Sequence, residues 1–375
     1  MAVAIGLRVG STYSKDVGLG GPDMDDKQHF AVLDGLRGVA ALVVLFFHTV
    51  QHHDLQKLPQ AGLAVDFFYI LSGFVIAYAY EKRLESSMNF SQFMRIRIIR
   101  LYPLLFVGVM SGLLLLILSH FIQGRPDLRD VFLVGLLAIL LLPSYVFPQW
   151  ATAYPLNMAG WSLTFEFYVN IVYALIVRYL STRRLVIVVV LSLIALIWLA
   201  LKNNMISGGN DQDNWIYGFI RVMFPFFCGV LLYRLRPASH LSNISALAAN
   251  LFLAILLLSD FGRSWLIDLV YVVCILPAVV YFGSSLLVDG KTLSRFLLMG
   301  RLSYPVYILQ DPIIRFFAEV NSRIHASFEM ALAIDFLQIL TVIVASYLAL
   351  KYFDEPVRAW LTARSRRRLK PVATT

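Results

Sequence analysis

Residues 33–48 read LDGLRGVAALVVLFFH, a nearly continuous apolar run that carries three ionisable side chains. The run is long enough for most of one membrane-spanning helix, which needs about 20 mainly apolar residues. Similar runs follow along the chain, because 59% of its 375 residues are hydrophobic and only 15% are charged. A globule of this size lacks the polar surface to cover that excess. The composition excludes a soluble protein and predicts an all-α polytopic membrane protein.

Apolar runs that are candidate spans occur throughout the chain, and positive charge in the connections orients them. The basic connections at 81–100 and 178–184 should both be cytoplasmic. Three runs separate them, and three crossings would place them on opposite sides. One run therefore does not cross, and the weakest is 131–147, which Pro143 interrupts. The eleven candidates lie at about 34–51, 63–80, 99–119, 131–147, 161–180, 184–201, 217–234, 244–259, 265–283, 302–319 and 335–353.

Removing one run predicts ten transmembrane helices, with residues 120–160 forming a re-entrant outer loop between helices three and four. The predicted organisation is a polar cytoplasmic tail at 1–28, a membrane domain at 29–355 and a basic cytoplasmic tail at 356–375. Both termini would then be cytoplasmic, in a plasma membrane that is the inner membrane in bacteria. The net charge of +9 is explained by cytoplasmic anchoring rather than by nucleic-acid binding, since no basic amphipathic module is present.

One face of the first helix carries three of the candidate functional groups. Arg37 and His48 are eleven residues apart, which places them within about 20° of one stripe and about 16 Å apart along the axis. Asp34 lies on nearly the same stripe, one turn below Arg37. Charged groups inside a membrane are costly and are functional candidates. The alternative for His48 is a histidine that only anchors the helix end at the interface.

Two carboxylates enter the membrane near the expected depth of His48. Asp66 begins the second helix and Glu166 begins the fourth. A histidine with a carboxylate that orients its imidazole can act as a general base. Asp34 is too far from His48 along a straight helix, so Asp66 or Glu166 is the expected orienting group. The alternative is a structural polar network between helices.

Arginines at 95, 97 and 100 form a third cluster, at the cytoplasmic mouth of the third helix. Guanidinium groups bind phosphate oxygens in a bidentate manner, so this spacing suits phosphate recognition. The competing interpretation is that Arg95, Arg97 and Arg100 only anchor the topology. Nothing in the sequence predicts a metal site.

Five blocks, in order, resemble the integral-membrane acyltransferase family 3 over roughly residues 29–355. They are Arg37 and His48 with LDGLRG, VDFFYILSGF at 65–74, RIRIIRLYP at 95–103, WSLTFE at 161–166 and GRLSYPVYILQDPI at 300–313. The family's last block commonly has histidine where this chain has Gln310, and an amide cannot act as a base near neutral pH. No appended esterase-like domain is expected.

The resemblance implies an O-acyltransferase that moves an acyl group, often acetyl, from cytoplasmic acyl-CoA to a hydroxyl of a carbohydrate. The acceptor would be an exopolysaccharide, a lipopolysaccharide or a similar glycan, and no cofactor would be bound. The resemblance favours His48 as the catalytic residue and Arg95, Arg97 and Arg100 as contacts for the CoA phosphates. With the residue patterns above, the candidate catalytic residues are His48, Asp66, Glu166, Asp34 and Arg37. The candidate acyl-CoA contacts are Arg95, Arg97, Arg100, Arg37 and Tyr102, and the candidate substrate or oxyanion contacts are Ser162, Trp161, Tyr304 and Gln310.

A proton-coupled transporter is the main competing function, because intramembrane carboxylates and a polar helix face also suit a carrier. Transporters often contain two similar halves. No second copy of the pattern formed by Arg37 and His48 occurs in the sequence. A non-catalytic membrane scaffold is a third interpretation.

Overall fold

The computed structural model describes residues 30–51, 58–324 and 327–369. The predicted tail at 1–28 and residues 370–375 of the predicted C-terminal tail lie outside this range. The described chain is mostly helical. Its helices are α1 (Ala31–Val50), α2 (Ala64–Ser86), α3 (Phe90–Gln123), α4 (Leu128–Ile139), α5 (Gly160–Ile176), α6 (Thr182–Asn203), α7 (Tyr217–Leu235), α8 (Asn243–Leu258), α9 (Trp265–Leu269), α10 (Leu276–Ser285), α11 (Gly290–Ile324), α12 (Phe328–Ala349) and α13 (Glu355–Leu369).

Short elements join or flank these helices. π-Helical turns at Val270–Ile275 and Leu350–Asp354 join α9 to α10 and α12 to α13. 3₁₀ turns at Pro59–Leu63 and Val177–Tyr179 precede α2 and follow α5. In the described residues, the only sheet is a parallel pair of two-residue strands. These are β1 (His240–Leu241) and β2 (Leu286–Leu287), and His240 lies opposite Leu286.

Eight helical segments of the described chain are long and apolar enough to cross a membrane. The protein is therefore a multi-pass membrane protein, as its composition predicts. By the same measure, α8 is too short and α11 does not combine enough apolar residues with few enough charges. The eight segments are Ala31–Val50, Gln60–Ser86, Phe90–Gln123, Gly160–Tyr179, Thr182–Asn203, Tyr217–Leu235, Trp265–Ser285 and Phe328–Arg366.

Glycines allow α1 to pack closely against α11. A side chain at Gly38 would overlap Met299, and one at Gly35 would press against the ring of Phe296. Small residues let helix backbones approach in a membrane, where packing rather than hydrophobicity drives association. Residues farther along α1 contact residues farther along α11, so the two helices run parallel. The C-terminal end of α1 therefore lies beside the second half of α11.

The segment between α4 and α5 is irregular in backbone, and its second half, residues 153–159, is largely buried. Asn157 Nδ2 donates to the carbonyl oxygen of Ile308 at 2.7 Å, and the Gln212 side chain donates to the carbonyl oxygens of Phe147 and Trp150. Gly112 of α3 lies directly against the carbonyl group of Leu156. Buried backbone polar groups need partners, and these side chains supply several of them.

Candidate functional site

A cavity of about 190 Å³ lies at the C-terminal end of α1. His48 is half-buried on its wall, and its Nδ1 lies 3.4 Å from Gln51 Oε1. An amide oxygen only accepts hydrogen bonds. The contact is a hydrogen bond in the tautomer that carries its hydrogen on Nδ1, and in that tautomer Nε2 is the basic nitrogen. The lining residues come from α1, the segment before α5, and α11: His48, Gln51, Met158, Ala159, Trp161, Tyr307, Gln310, Asp311, Ile314 and Arg315.

Asp311 is the carboxylate that shares this cavity with His48. Its Oδ2 accepts from the backbone N–H of Met158 at 3.0 Å and pairs with Arg315 at 2.9 Å. Arg315 in turn donates to the carbonyl oxygen of Pro155. Asp311 also acts electrostatically on the imidazole of His48. The parallel packing of α1 and α11 thus places a negative charge near the histidine.

Gln310 contributes a buried acceptor to the same cavity. The side chain is only 1% exposed, and its Nε2 donates to the carbonyl oxygen of Tyr307 at 3.2 Å. That bond fixes the orientation of the amide group and leaves Oε1 as the polar atom that can still form a hydrogen bond. Within the described residues, Oε1 has no hydrogen-bond partner. An unsatisfied buried acceptor is costly, so this atom suits a donor on a ligand.

The three other predicted substrate contacts lie in different places. Trp161 lines the cavity, and the guanidinium of Arg221 lies 5.1 Å from the centre of its ring. Ser162 does not line the cavity, but its Oγ lies 2.7 Å from the hydroxyl of Tyr307, which does. The hydroxyl of Tyr304 donates instead to the carbonyl oxygen of Leu101 on α3 at 2.7 Å.

Asp66 does not orient His48 in this structure; its described partner is Arg221. The carboxylate is fully buried and forms a two-pronged pair with Arg221, at 3.0 Å to Nε and 2.6 Å to the terminal nitrogen. Arg221 also donates to the carbonyl oxygen of Gly62. Since Arg221 stacks on Trp161, the pair supports the cavity wall rather than the imidazole.

Glu166 lies with the arginines instead of with His48. Its Oε1 accepts from Arg97 and from Ser72, each at 2.8 Å. Arg97 is 5% exposed. On α1, Arg37 pairs with Asp34 at 3.4 Å and lies within electrostatic range of Arg97 and Glu166. We call Asp34, Arg37, Arg97, Arg100 and Glu166 the arginine end, and the residues that line the cavity the histidine end.

The remaining predicted acyl-CoA contacts surround the arginine end. Arg100 is exposed and lies within electrostatic range of Arg37. Arg95 is also exposed and donates to Ser365 of α13. The ring of Tyr102 packs edge-on against Phe167. In the part of the chain that the structure describes, no group of three or more His, Cys, Asp or Glu residues could hold a metal ion.

A family model described as an acyltransferase domain matches residues 30–350, which is most of the chain. The chain belongs to the acyltransferase 3 family. This membrane acyltransferase is also similar to the Rhizobium radiobacter protein named "Protein 2 in picA locus". The two are 36% identical over 158 residues, which cover 39% of this chain and 82% of that protein. No solved structure matches.

Several cavity residues of the acyltransferase were not singled out by the sequence analysis. Asp311 and Tyr307 both stand inside the late block at 300–313, beside residues that were. Arg221 lies in an apolar run, and a charge within such a run is itself a signal of function. What the sequence could not give is the pairing of Arg221 with Asp66, because the two are far apart along the chain.

Proposed function

We propose that this acyltransferase moves an acyl group, with acetyl as the expected case, from cytoplasmic acyl-CoA to a hydroxyl of a carbohydrate at the outer membrane face. The observation that carries the proposal is the arrangement along α1. His48 borders a cavity that also exposes Gln310 and Asp311 at one end of the helix, and Arg37 lies with buried Arg97 at the other. The carbohydrate would belong to an exopolysaccharide, a lipopolysaccharide or a similar glycan.

The donor would bind with its phosphates at the arginine end. Arg95 and Arg100 are exposed there, and Tyr102 and Arg37 lie deeper along their helices. Arg37 and His48 are about 16 Å apart along the axis of α1. An extended pantetheine arm covers a comparable distance, so the thioester would reach the histidine end. Arg97 would support this site through its pair with Glu166.

At the histidine end, His48 would act as the general base through Nε2. It would remove the proton of the acceptor hydroxyl as the oxygen attacks the thioester carbon. Asp311 would stabilise the imidazolium that forms, since an adjacent carboxylate favours the charged form. Asp66 would contribute by holding Arg221 against Trp161.

The acceptor would bind against Trp161 and Gln310. An indole ring offers a flat apolar surface on which a sugar ring can stack. The unpartnered Oε1 of Gln310 would accept a hydrogen bond from a sugar hydroxyl next to the reacting one. A hydroxyl-rich acceptor therefore suits this cavity better than a simple alcohol does.

The proposed topology has ten spans, with α8 and α11 added to the eight apolar segments. α4 would not cross, since it has 12 residues, whereas a span needs about 20. It would form a re-entrant outer loop with the irregular segment that follows, whose second half is buried. Irregular backbone is tolerated at membrane depth only where protein buries it or a water-filled cavity is present. Both termini would be cytoplasmic in a bacterial inner membrane.

The test is acyl transfer by the purified full chain, with acetyl-CoA as donor and a methyl glucoside as acceptor. We expect His48→Ala to lower the rate by roughly 10²–10⁴-fold, the usual contribution of a general base. His120→Ala is the matched control, because His120 lies at the end of α3 and bonds to the carbonyl oxygen of Pro126. An unchanged rate in the folded His48→Ala protein would remove His48 from the mechanism.

A further inference from the structure

Tyr307 is the hydroxyl-bearing residue on the wall of the histidine end. Its side chain lines the cavity together with His48, whereas its hydrogen-bond partner Ser162 does not. The ring of Phe68 packs against Tyr307 at a centroid distance of 5.5 Å. The tyrosine is therefore held from behind by a hydroxyl and from one side by an aromatic ring.

The hydroxyls of Ser162 and Tyr307 can arrange their hydrogens in two ways. Their oxygens are 2.7 Å apart, and Ser162 Oγ also lies 3.3 Å from the carbonyl oxygen of Ala159, to which it can donate. When Ser162 donates to that carbonyl oxygen, Tyr307 donates to Ser162. When a ligand offers an acceptor in the cavity, Tyr307 can turn its hydrogen to the ligand while Ser162 donates to Tyr307, so both hydroxyls keep a partner.

We propose that Tyr307 is a catalytic residue that donates a hydrogen bond to the carbonyl oxygen of the bound thioester, and that Ser162 positions it. The acceptor oxygen loses its proton to His48 and forms a bond to the carbonyl carbon. The electron pair of the C=O bond moves to the oxygen, where the Tyr307 hydroxyl stabilises the negative charge. When the C=O bond re-forms, the C–S bond breaks, and the CoA thiolate takes the proton back from His48.

Two alternatives on the same helix make the proposal specific. Tyr304 precedes Tyr307 by nearly one turn, but its hydroxyl is used by the carbonyl oxygen of Leu101. Gln310 follows by nearly one turn, but its free atom is an acceptor and cannot stabilise an oxyanion. In the described part of α11, Tyr307 is the cavity residue whose neutral donor can turn to a ligand.

The proposal rests on the proposed acyl transfer, so the assay is the same: purified full chain, acetyl-CoA and a methyl glucoside. We expect Tyr307→Phe to lower kcat by about 10²–10³-fold, the usual effect of losing one oxyanion donor. KM for acetyl-CoA should change little, because the bond strengthens only as charge develops. If the wild-type protein releases no more CoA than His48→Ala does, the proposed function fails before this inference is reached.

Tyr271→Phe is the matched control for loss of a buried hydroxyl. Tyr271 is also paired with a serine, at 3.1 Å from Ser259, but it lies away from the cavity. Its kcat should equal that of the wild-type protein. An unchanged kcat in active, folded Tyr307→Phe would overturn the proposal, as would a larger loss of kcat in Tyr304→Phe than in Tyr307→Phe.

A double-mutant cycle tests the positioning role of Ser162. Ser162→Ala alone should lower kcat, because the Tyr307 hydroxyl then loses the hydrogen bond that orients it. In the Tyr307→Phe background, the same substitution should have almost no further effect, since residues that act as a unit are not additive. Independent, additive losses would show that Ser162 does not act through Tyr307.

Discussion

The two ends of α1 leave opposite kinds of polar atom without a partner. At the arginine end, the buried Nε of Arg97 is a donor with no acceptor among the described residues. At the histidine end, the buried Oε1 of Gln310 is an acceptor with no donor. A free donor suits an anion, and a free acceptor suits a hydroxyl. One helix thus connects two sites that fit different chemical classes of ligand.

The ends also differ in how their charges are held. Arg97 is buried and pairs with Glu166, whose side chain is 24% exposed and also accepts a hydrogen bond from Ser72. At the histidine end, Asp311 and Arg315 form an ion pair that lines the cavity. A buried charge such as that of Arg97 is sensitive to loss of its partner, because it is left without compensation. Substitutions should therefore damage folding at the arginine end and chemistry at the histidine end.

The largest effect on stability is expected from Glu166→Leu, which leaves the buried Arg97 without its carboxylate. Removing the partner of a buried charge costs about 3–5 kcal/mol, whereas removing both costs much less. Glu166→Leu should therefore lower the thermal unfolding temperature in detergent more than the double variant Arg97→Met/Glu166→Leu does. If the double variant is the less stable of the two, Arg97 does not depend on Glu166 for its burial.

An intermediate effect is expected from a pair of variants that separates the two ligands. Arg100→Gln should raise KM for acetyl-CoA about tenfold, since a charge-assisted hydrogen bond contributes about 1.5–3 kcal/mol. Gln310→Leu should raise KM for the methyl glucoside a few-fold, because a neutral bond contributes about 0.5–1.5 kcal/mol. Each variant should leave the other KM unchanged. If Arg100→Gln instead raises KM only for the methyl glucoside and Gln310→Leu raises KM only for acetyl-CoA, each end binds the other ligand.

The smallest effect is expected from Arg301→Gln, which breaks the pair with Glu355 at 2.5 Å. Both side chains are substantially exposed, and exposed ion pairs contribute about 0–1 kcal/mol. The unfolding temperature and both KM values should stay close to those of the wild-type protein. A large drop in stability would mean that α13 is held to the bundle mainly through Glu355.

The sequence predicted the class of fold and the proximity of Asp34 to Arg37 on the first helix. Apolar runs predicted a multi-pass helical membrane protein, and the eight apolar segments confirm that class. The 3.6-residue period placed Asp34 one turn from Arg37, and the structure pairs them at 3.4 Å. Both inferences depend on local sequence, since hydropathy and helical period act within a single segment.

The partners of the carboxylates could not be predicted, because they depend on which helices become neighbours. Asp66 and Glu166 were expected near His48, on the assumption that similar depth means contact. The structure pairs them with Arg221 and Arg97 instead. The carboxylate that does share the cavity with His48, Asp311, lies on α11, whose packing against α1 depends on Gly35 and Gly38 rather than on charge.

The close approach of Gly38 to Met299 has a consequence for biosynthesis. Gly38 is near the beginning of the chain and Met299 is near its end. α1 is therefore synthesised long before α11, with most of the protein translated in between. At about 5–20 residues per second, that interval lasts tens of seconds. Throughout it, His48 is without Tyr307 and Asp311, so a nascent or prematurely terminated chain is expected to be inert toward acyl-CoA. Acyl transfer would thus begin only when insertion is nearly complete.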